Sequence, residues 1–317
     1  MAADTSKRSL EACQLPGLFR RVPNSRLSSK RRDFICQAAF LSAWLLIMVM
    51  AAITLGCSSK TQEAWIDLTD RGSGYDFKPI SFDVPPFTLA GLLKYNSNAS
   101  ADLVVYLEGD GRGVVRGRVS PDPTPSKAMG FELAKSDPAS SVLYLARVGQ
   151  FQPDQTGKKY QEYWSNKRLS AESVRAASQA IDRAKAQVGA QRLHLIGYSG
   201  GGGLAVLLAE QRPDVASLVT VAGLLDTNWW VREKNFQPLT GSLNPADQAM
   251  RISHIPQVHF YGSEDSIIPP AMSAHFQTLA PFTSFKRVEV DTNHWRVWPE
   301  VWPNLLSQHA LSVRKNP

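Results

Sequence analysis

Short, unbroken apolar runs recur along the chain at 103–107 (LVVYL), 141–146 (SVLYLA), 192–196 (RLHLI), 217–222 (SLVTVA), 257–261 (QVHFY) and 285–290 (FKRVEV). Runs of this length without polar alternation suit strands covered on both faces. Upstream, ISFDV and FTLAGLLKY alternate apolar and polar positions, which predicts an antiparallel pair at the start of the same sheet. Helical spacing lies between the runs, at 126–136, 171–188, 204–211 and 271–279, and again around 301–311. Strand and helix in alternation predict an α/β fold, a mostly parallel sheet with crossover helices on both faces. The stretch 226–256 is too long for a plain crossover. It is either a short lid over a site or a surface excursion whose Trp229 and Trp230 pack on the core.

Ahead of the alternating region the pattern changes. Residues 34–56 are almost wholly apolar and uncharged, and SSKRRDFI stands before and into them. A basic stretch, an apolar stretch and a small-residue exit make an export signal. Arg31-Arg32 followed by Asp33, Phe34 and Ile35 resembles the twin-arginine signal. The exit, ITLGCSS, resembles a lipobox, which implies that Cys57 is lipidated and becomes the new N-terminus. Ser58 after it implies the outer membrane, with the globular part facing the periplasm. The alternative is an uncleaved anchor, since about 20 apolar residues span a bilayer. Either way the expected organisation is 1–57 signal or anchor, 58–78 polar tether, and 79–317 globular domain.

Charge adds little once this segment is set aside. The net charge is +7, but residues 1–56 hold eight basic residues and three acids, so +5 of it belongs to the signal. The rest is close to neutral, and nucleic acid is excluded as a partner. All three cysteines, Cys13, Cys36 and Cys57, lie in the first 57 residues, so the globular part has no disulfide and no cysteine metal cluster. No metal-ligand spacing such as H-E-x-x-H is present.

Candidate chemistry sits in IGYSGGGG, 196–203, between an apolar run and a helical one. Glycine-rich strand-to-helix turns hold either a phosphate or a nucleophile. A phosphate loop needs Gly-Lys-Ser/Thr at its end, but Leu204 follows Gly203; a dinucleotide loop needs G-x-G-x-x-G, and from Gly201 the sixth position is Val206. Gly197-Tyr198-Ser199-Gly200-Gly201 instead satisfies G-x-S-x-G, which exposes a serine at the carboxyl edge of a sheet. A serine hydroxyl needs a base, and the base an orienting acid. Asp265 follows QVHFY in GSEDSIIP, and His294 follows FKRVEV in DTNHW. Both lie past the carboxyl ends of predicted strands, where such sheets place their chemistry. Glu264 is the alternative acid, while the G-x-x-D spacing from Gly262 and Ile268-Pro269 favour Asp265. Asp291 reads as a turn cap, and His194 and His259 as buried strand residues.

With Ser199, Asp265 and His294 in that chain order, the region from about 80 to 311 resembles the α/β-hydrolase superfamily. Within it, the chain is similar to proteobacterial lipoprotein hydrolases with EGDG and GYSGGG motifs. The resemblance implies two oxyanion donors, the backbone N–H of Gly200 and that of Asp110 in EGDGRG, 108–113. Glu108 stands where many relatives have histidine. Its carboxylate and that of Asp110 either pair with Arg112, Arg116 or Arg147 or bind a cationic part of the substrate. The implied activity is hydrolysis of a small-molecule acyl substrate by a membrane-tethered serine esterase without a cofactor. A peptidase or amidase, and a non-catalytic envelope lipoprotein on the same scaffold, are the alternatives.

Overall fold

Alternate residues of the central strands belong to two different cores. Leu103, Val105 and Leu107 join one buried cluster; Val104 and Tyr106 join the other. The computed structural model describes residues 60–96 and 101–310. Its ten strands are β1 (Lys78–Val84), β2 (Phe87–Lys94), β3 (Asp102–Leu107), β4 (Val114–Val115), β5 (Arg118–Val119), β6 (Val142–Leu145), β7 (Arg192–Tyr198), β8 (Val215–Val221), β9 (Gln257–Gly262) and β10 (Phe285–Val290). Eight form one sheet in the order β1-β2-β6-β3-β7-β8-β9-β10. The pairs β1–β2 and β2–β6 are antiparallel, and every pair from β6 to β10 is parallel. The small β4–β5 hairpin stands apart from it. All six apolar runs are strands, each shifted by no more than two residues.

The helices are α1 (60–73), α2 (Met129–Ala134), α3 (Ala171–Val188), α4 (Gly200–Gln211), α5 (Thr227–Glu233), α6 (Ala271–Gln277) and α7 (Trp298–Leu305), with a π-helical turn, Leu306–Ala310, after the last. One face of the sheet is covered by α3, α4 and α6 and the other by α1, α2 and α7. α3 is delimited by its sequence: Ser170 caps its first turn by accepting from the Ser173 N–H at 3.2 Å, and Gly189 ends it at φ 70°.

Two boundaries differ most from expectation. The segment 58–78 was expected to be a tether, but 60–73 is helical and packed. Leu68 is fully buried, Trp65 meets Phe151 with ring centroids 5.7 Å apart, and Thr61 donates to Asp122 at 2.6 Å. Positions 61, 64, 65, 68 and 72 turn inward at helical spacing. α4 was expected from Leu204 and instead starts at Gly200. Glycine in a helix costs about 1 kcal/mol against alanine, but here there is no room for a side chain. A Cβ on Gly201 would lie 2.4 Å from the Leu107 carbonyl, one on Gly202 2.7 Å from the Gly223 Cα, and one on Gly203 2.6 Å from the Leu224 carbonyl. Residues 1–59, including the export-signal expectation and Cys57, lie outside the described residues. Among those described, no helix is long and apolar enough to cross a membrane.

The strand order creates a cleft. From β3 the chain moves to β6 on one side, then crosses to β7 on the other. Loops leaving β3 and β7 therefore diverge, and the space beyond their carboxyl ends is open.

Candidate active site

Ser199 stands at the end of β7, in that space. Its backbone has φ 52° and ψ −122°, a region that non-glycine residues rarely adopt. Three hydrogen bonds hold it there. The Ser199 N–H donates to the Val221 carbonyl at 2.9 Å, and the Ser199 carbonyl accepts from Gly202 at 2.9 Å and Leu224 at 3.0 Å. Gly197 is required two residues earlier because a Cβ there would lie 2.1 Å from the Gly201 carbonyl oxygen.

The two other triad candidates come to the same serine. His294 Nε2 lies 2.9 Å from Ser199 Oγ, and His294 Nδ1 lies 2.7 Å from Asp265 Oδ2. The other oxygen of Asp265 accepts from the Ile267 and Ile268 N–H groups, each at 2.8 Å, so the carboxylate is held from both ends. Glu264 points outward and is exposed. Gly262 explains how the two loops approach: a Cβ on it would lie 2.5 Å from the Thr292 carbonyl oxygen, in the loop that carries His294. The His294 carbonyl in turn accepts from Tyr198 Oη at 2.7 Å and Trp298 Nε1 at 3.1 Å. Neither of these supports was expected, although Tyr198 lies inside the serine motif. His194 and His259 are buried strand residues as expected, bonded to Ser217 at 2.8 Å and Thr220 at 2.8 Å. Burial, aided by nearby Arg287, lowers the His259 pKa to about 3, so its ring is neutral.

The loop after β3 passes close to the serine, where a Cβ on Gly109 would lie 3.3 Å from that of Ser199. Among the described residues, neither the Asp110 N–H nor the Gly200 N–H meets a protein acceptor. Two free donors beside a serine hydroxyl can receive a developing oxyanion. The carboxylate side chains of this loop serve other ends. Glu108 is buried and accepts from the Gly109 N–H at 2.9 Å, the Gly130 N–H at 2.9 Å and Tyr144 Oη at 3.1 Å. Burial raises its pKa to about 7 against those bonds and the nearby Arg147. Asp110 pairs with Arg147 at 3.3 Å and Arg168 at 2.7 Å. Burial works to raise its pKa, but Arg168 and Arg147 outweigh burial and hold it low. Of the three arginines expected as partners, only Arg147 is used. Arg112 forms no ion pair among the described residues, and Arg116 sits in the β4–β5 turn. Arg168 was not anticipated, since nothing in its loop sequence links it to the residues after β3.

Ser199 and His294 open into a cavity of about 1070 Å³. The stretch 226–256 supplies Trp230, Phe236 and Leu239 to its wall, the β4–β5 hairpin supplies Val114 and Val119, and the histidine loop supplies Trp295. Trp229 and Trp230 of 226–256 both pack against the core, as the surface-excursion reading expected. Trp229 stacks on His275 with centroids 5.8 Å apart, while Trp230 walls the cavity and donates to the Ile267 carbonyl at 2.8 Å.

A family model described as the alpha/beta hydrolase fold matches residues 151–239. A search of curated protein sequences finds no match. Solved structures resemble the chain at low identity. Est1E from Butyrivibrio proteoclasticus aligns with a TM-score of 0.56 at 12% identity, over 75% of this chain and 99% of its own. The Pyrococcus furiosus esterase Pf2001 aligns with a TM-score of 0.54 at 13% identity, over 78% and 95%. The Pyrococcus horikoshii acylaminoacyl peptidase aligns with a TM-score of 0.54 at 13% identity, over 75% of this chain and 41% of its own. With the strand order, the crossover at β3 and the strained serine turn after β7, these likenesses establish that the chain has the α/β-hydrolase fold.

Proposed function

We propose that the chain is a serine hydrolase acting through an acyl-enzyme, that its reaction is hydrolysis of carboxylic esters, and that its N-terminus holds it at a membrane. One observation carries the chemistry: the continuous line from Ser199 Oγ to His294 Nε2 at 2.9 Å and from His294 Nδ1 to Asp265 at 2.7 Å. In this reading His294 takes the Ser199 proton as Oγ attacks the ester carbonyl. Asp265 holds the proton on Nδ1, which leaves Nε2 free to accept. The N–H groups of Gly200 and Asp110 receive the oxyanion. His294 then protonates the leaving alcohol, and a water activated by the same ring releases the acid. A binding-only role on this scaffold would not need the serine within hydrogen-bond reach of the imidazole. Amide cleavage by the same three residues is the alternative, and a series of acyl esters run beside aminoacyl amides separates the two.

The test uses the full-length chain in detergent and a fluorophosphonate, which labels an activated serine. Wild type is expected to label and turn over esters, and Ser199→Ala to lose both, with turnover down on the order of a millionfold. Equal labelling of the Ser199→Ala variant would remove Ser199 from its role. The address rests on sequence alone: the twin-arginine-like signal, the apolar stretch 34–56 and Cys57 as the lipidated residue of a periplasm-facing outer-membrane lipoprotein.

A further inference from the structure

The side chains of Asp110, Arg147 and Arg168 form one enclosed cluster against the serine turn. A Cβ on Gly200 would lie 2.1 Å from Asp110 Oδ1, so this carboxylate sits directly beside the residue after Ser199. Arg147 is behind it and also donates to the Arg168 carbonyl. Arg168 faces the cavity. Its side chain is nine-tenths buried. Nε donates to the Ser165 carbonyl at 2.7 Å, Nη1 donates to Asp110 at 2.7 Å, and the guanidinium carbon lies 5.8 Å from the centroid of the Trp230 ring. Three contacts fix the plane of the guanidinium. Nη2 has no protein acceptor among the described residues and is not fully buried.

The rest of the wall agrees in sign. Its charged side chains, His294 aside, are the acids Glu108 and Asp110 and the cations Arg112, Lys127, Arg168 and Lys234. Both acids already have partners: Glu108 takes three donors, and Asp110 takes two arginines. No acid among the described residues is paired with Arg112, Lys127 or Lys234. A cation of the substrate would find both carboxylates already partnered, whereas an anion would find a preoriented donor on Arg168, with the neighbouring Asp110 charge balanced by a second arginine, Arg147. Arginine's planar fork suits a carboxylate.

We propose that Arg168 forms a carboxylate-binding subsite beside Ser199, and that the substrates are half-esters of short dicarboxylic acids with an apolar alcohol. The inference rests on the reading of Ser199 as the nucleophile. The carboxylate must lie only a few bonds from the scissile carbonyl, because a single carboxylate, that of Asp110, separates Arg168 from the serine turn. The alcohol lies along Trp230, Phe236, Trp295 and the hairpin valines.

The experiment compares mono-4-nitrophenyl glutarate with 4-nitrophenyl pentanoate, matched in chain length and leaving group, on the full-length chain in detergent. Wild type is expected to favour the glutarate in kcat/KM by ten- to hundredfold, the range of a charge-assisted hydrogen bond. The preference is expected to vanish in Arg168→Met and to return in part in Arg168→Lys. The readout is the ratio for each protein, so a change in total activity does not obscure it. A measurement on wild type alone covers a variant that fails to fold: free glutarate is expected to slow fluorophosphonate labelling of Ser199, and pentanol at the same concentration is not. Equal kcat/KM for the two esters in wild type, or a preference unchanged in Arg168→Met, would overturn the subsite and leave the hydrolase reading standing. Turnover of neither ester, with no labelling of Ser199, would overturn that reading and the subsite with it.

Discussion

Glu108 places a carboxyl group in a buried position where three donors meet it, yet burial still favours its acid form up to about pH 7. Its ordinary pKa is 4.5, so between pH 4.5 and about 7 the folded chain binds a proton here that the unfolded chain has released. Stability contributed by this group is therefore greatest below pH 4.5. It falls as pH rises through the window, by about 3 kcal/mol in all, and is level above it. Glu108→Gln cannot ionise and is expected to lose this slope. Urea unfolding of both proteins at pH 5 and pH 8 checks it: the stability difference is expected to move in favour of the variant by about 2–3 kcal/mol between the two. Parallel pH dependence in the two proteins would mean that Glu108 is ionised throughout. The three triad candidates were readable because each follows the carboxyl end of a strand and each has a chemical type that such chemistry requires. Arg168 was not, because its role depends on Asp110, 58 positions away, and no local pattern records that meeting.

Strands placed by apolar runs, the antiparallel opening pair included, were legible to within a residue or two, and most helices to within three. What escaped was decided by packing. The helix α1 carries its inward positions at 61, 64, 65, 68 and 72, but its many polar residues made it read as a tether. The start of α4 escaped because glycine's poor propensity is overridden where the neighbouring backbone leaves no space. The crossing of β9 and the histidine loop makes a related prediction. In Gly262→Ala the new methyl would meet the Thr292 carbonyl, a backbone atom that yields only if the loop moves. That movement draws His294 away from Asp265, so kcat is expected to fall tenfold or more while the far-ultraviolet circular dichroism is unchanged. Full activity in this variant would show that the loop has slack which the geometry does not suggest.

Across the whole molecule, the sheet sets two loops apart at its switch point and the remaining loops enclose the space between them. This architecture is common to many activities, so the cavity wall and not the fold carries specificity. The proposed address is a separate matter, and the residues that would carry it lie outside the described structure. If Cys57 carries the lipid, Cys57→Ser is expected to leave the membrane pellet, or to persist as an uncleaved form of higher mass, in fractionated cells. Wild-type partition with wild-type mass in this variant would exclude lipidation at that residue.

The bond from Tyr198 to the His294 carbonyl runs from the last residue of β7 to the segment beyond β10. The imidazole is thereby moored to the strand that presents the hydroxyl. The serine hydroxyl and the imidazole travel as one body when the sheet breathes, and their alignment outlasts local fraying of the surface loops. Heat should then silence the protein in a single step, at the temperature where the sheet itself comes apart.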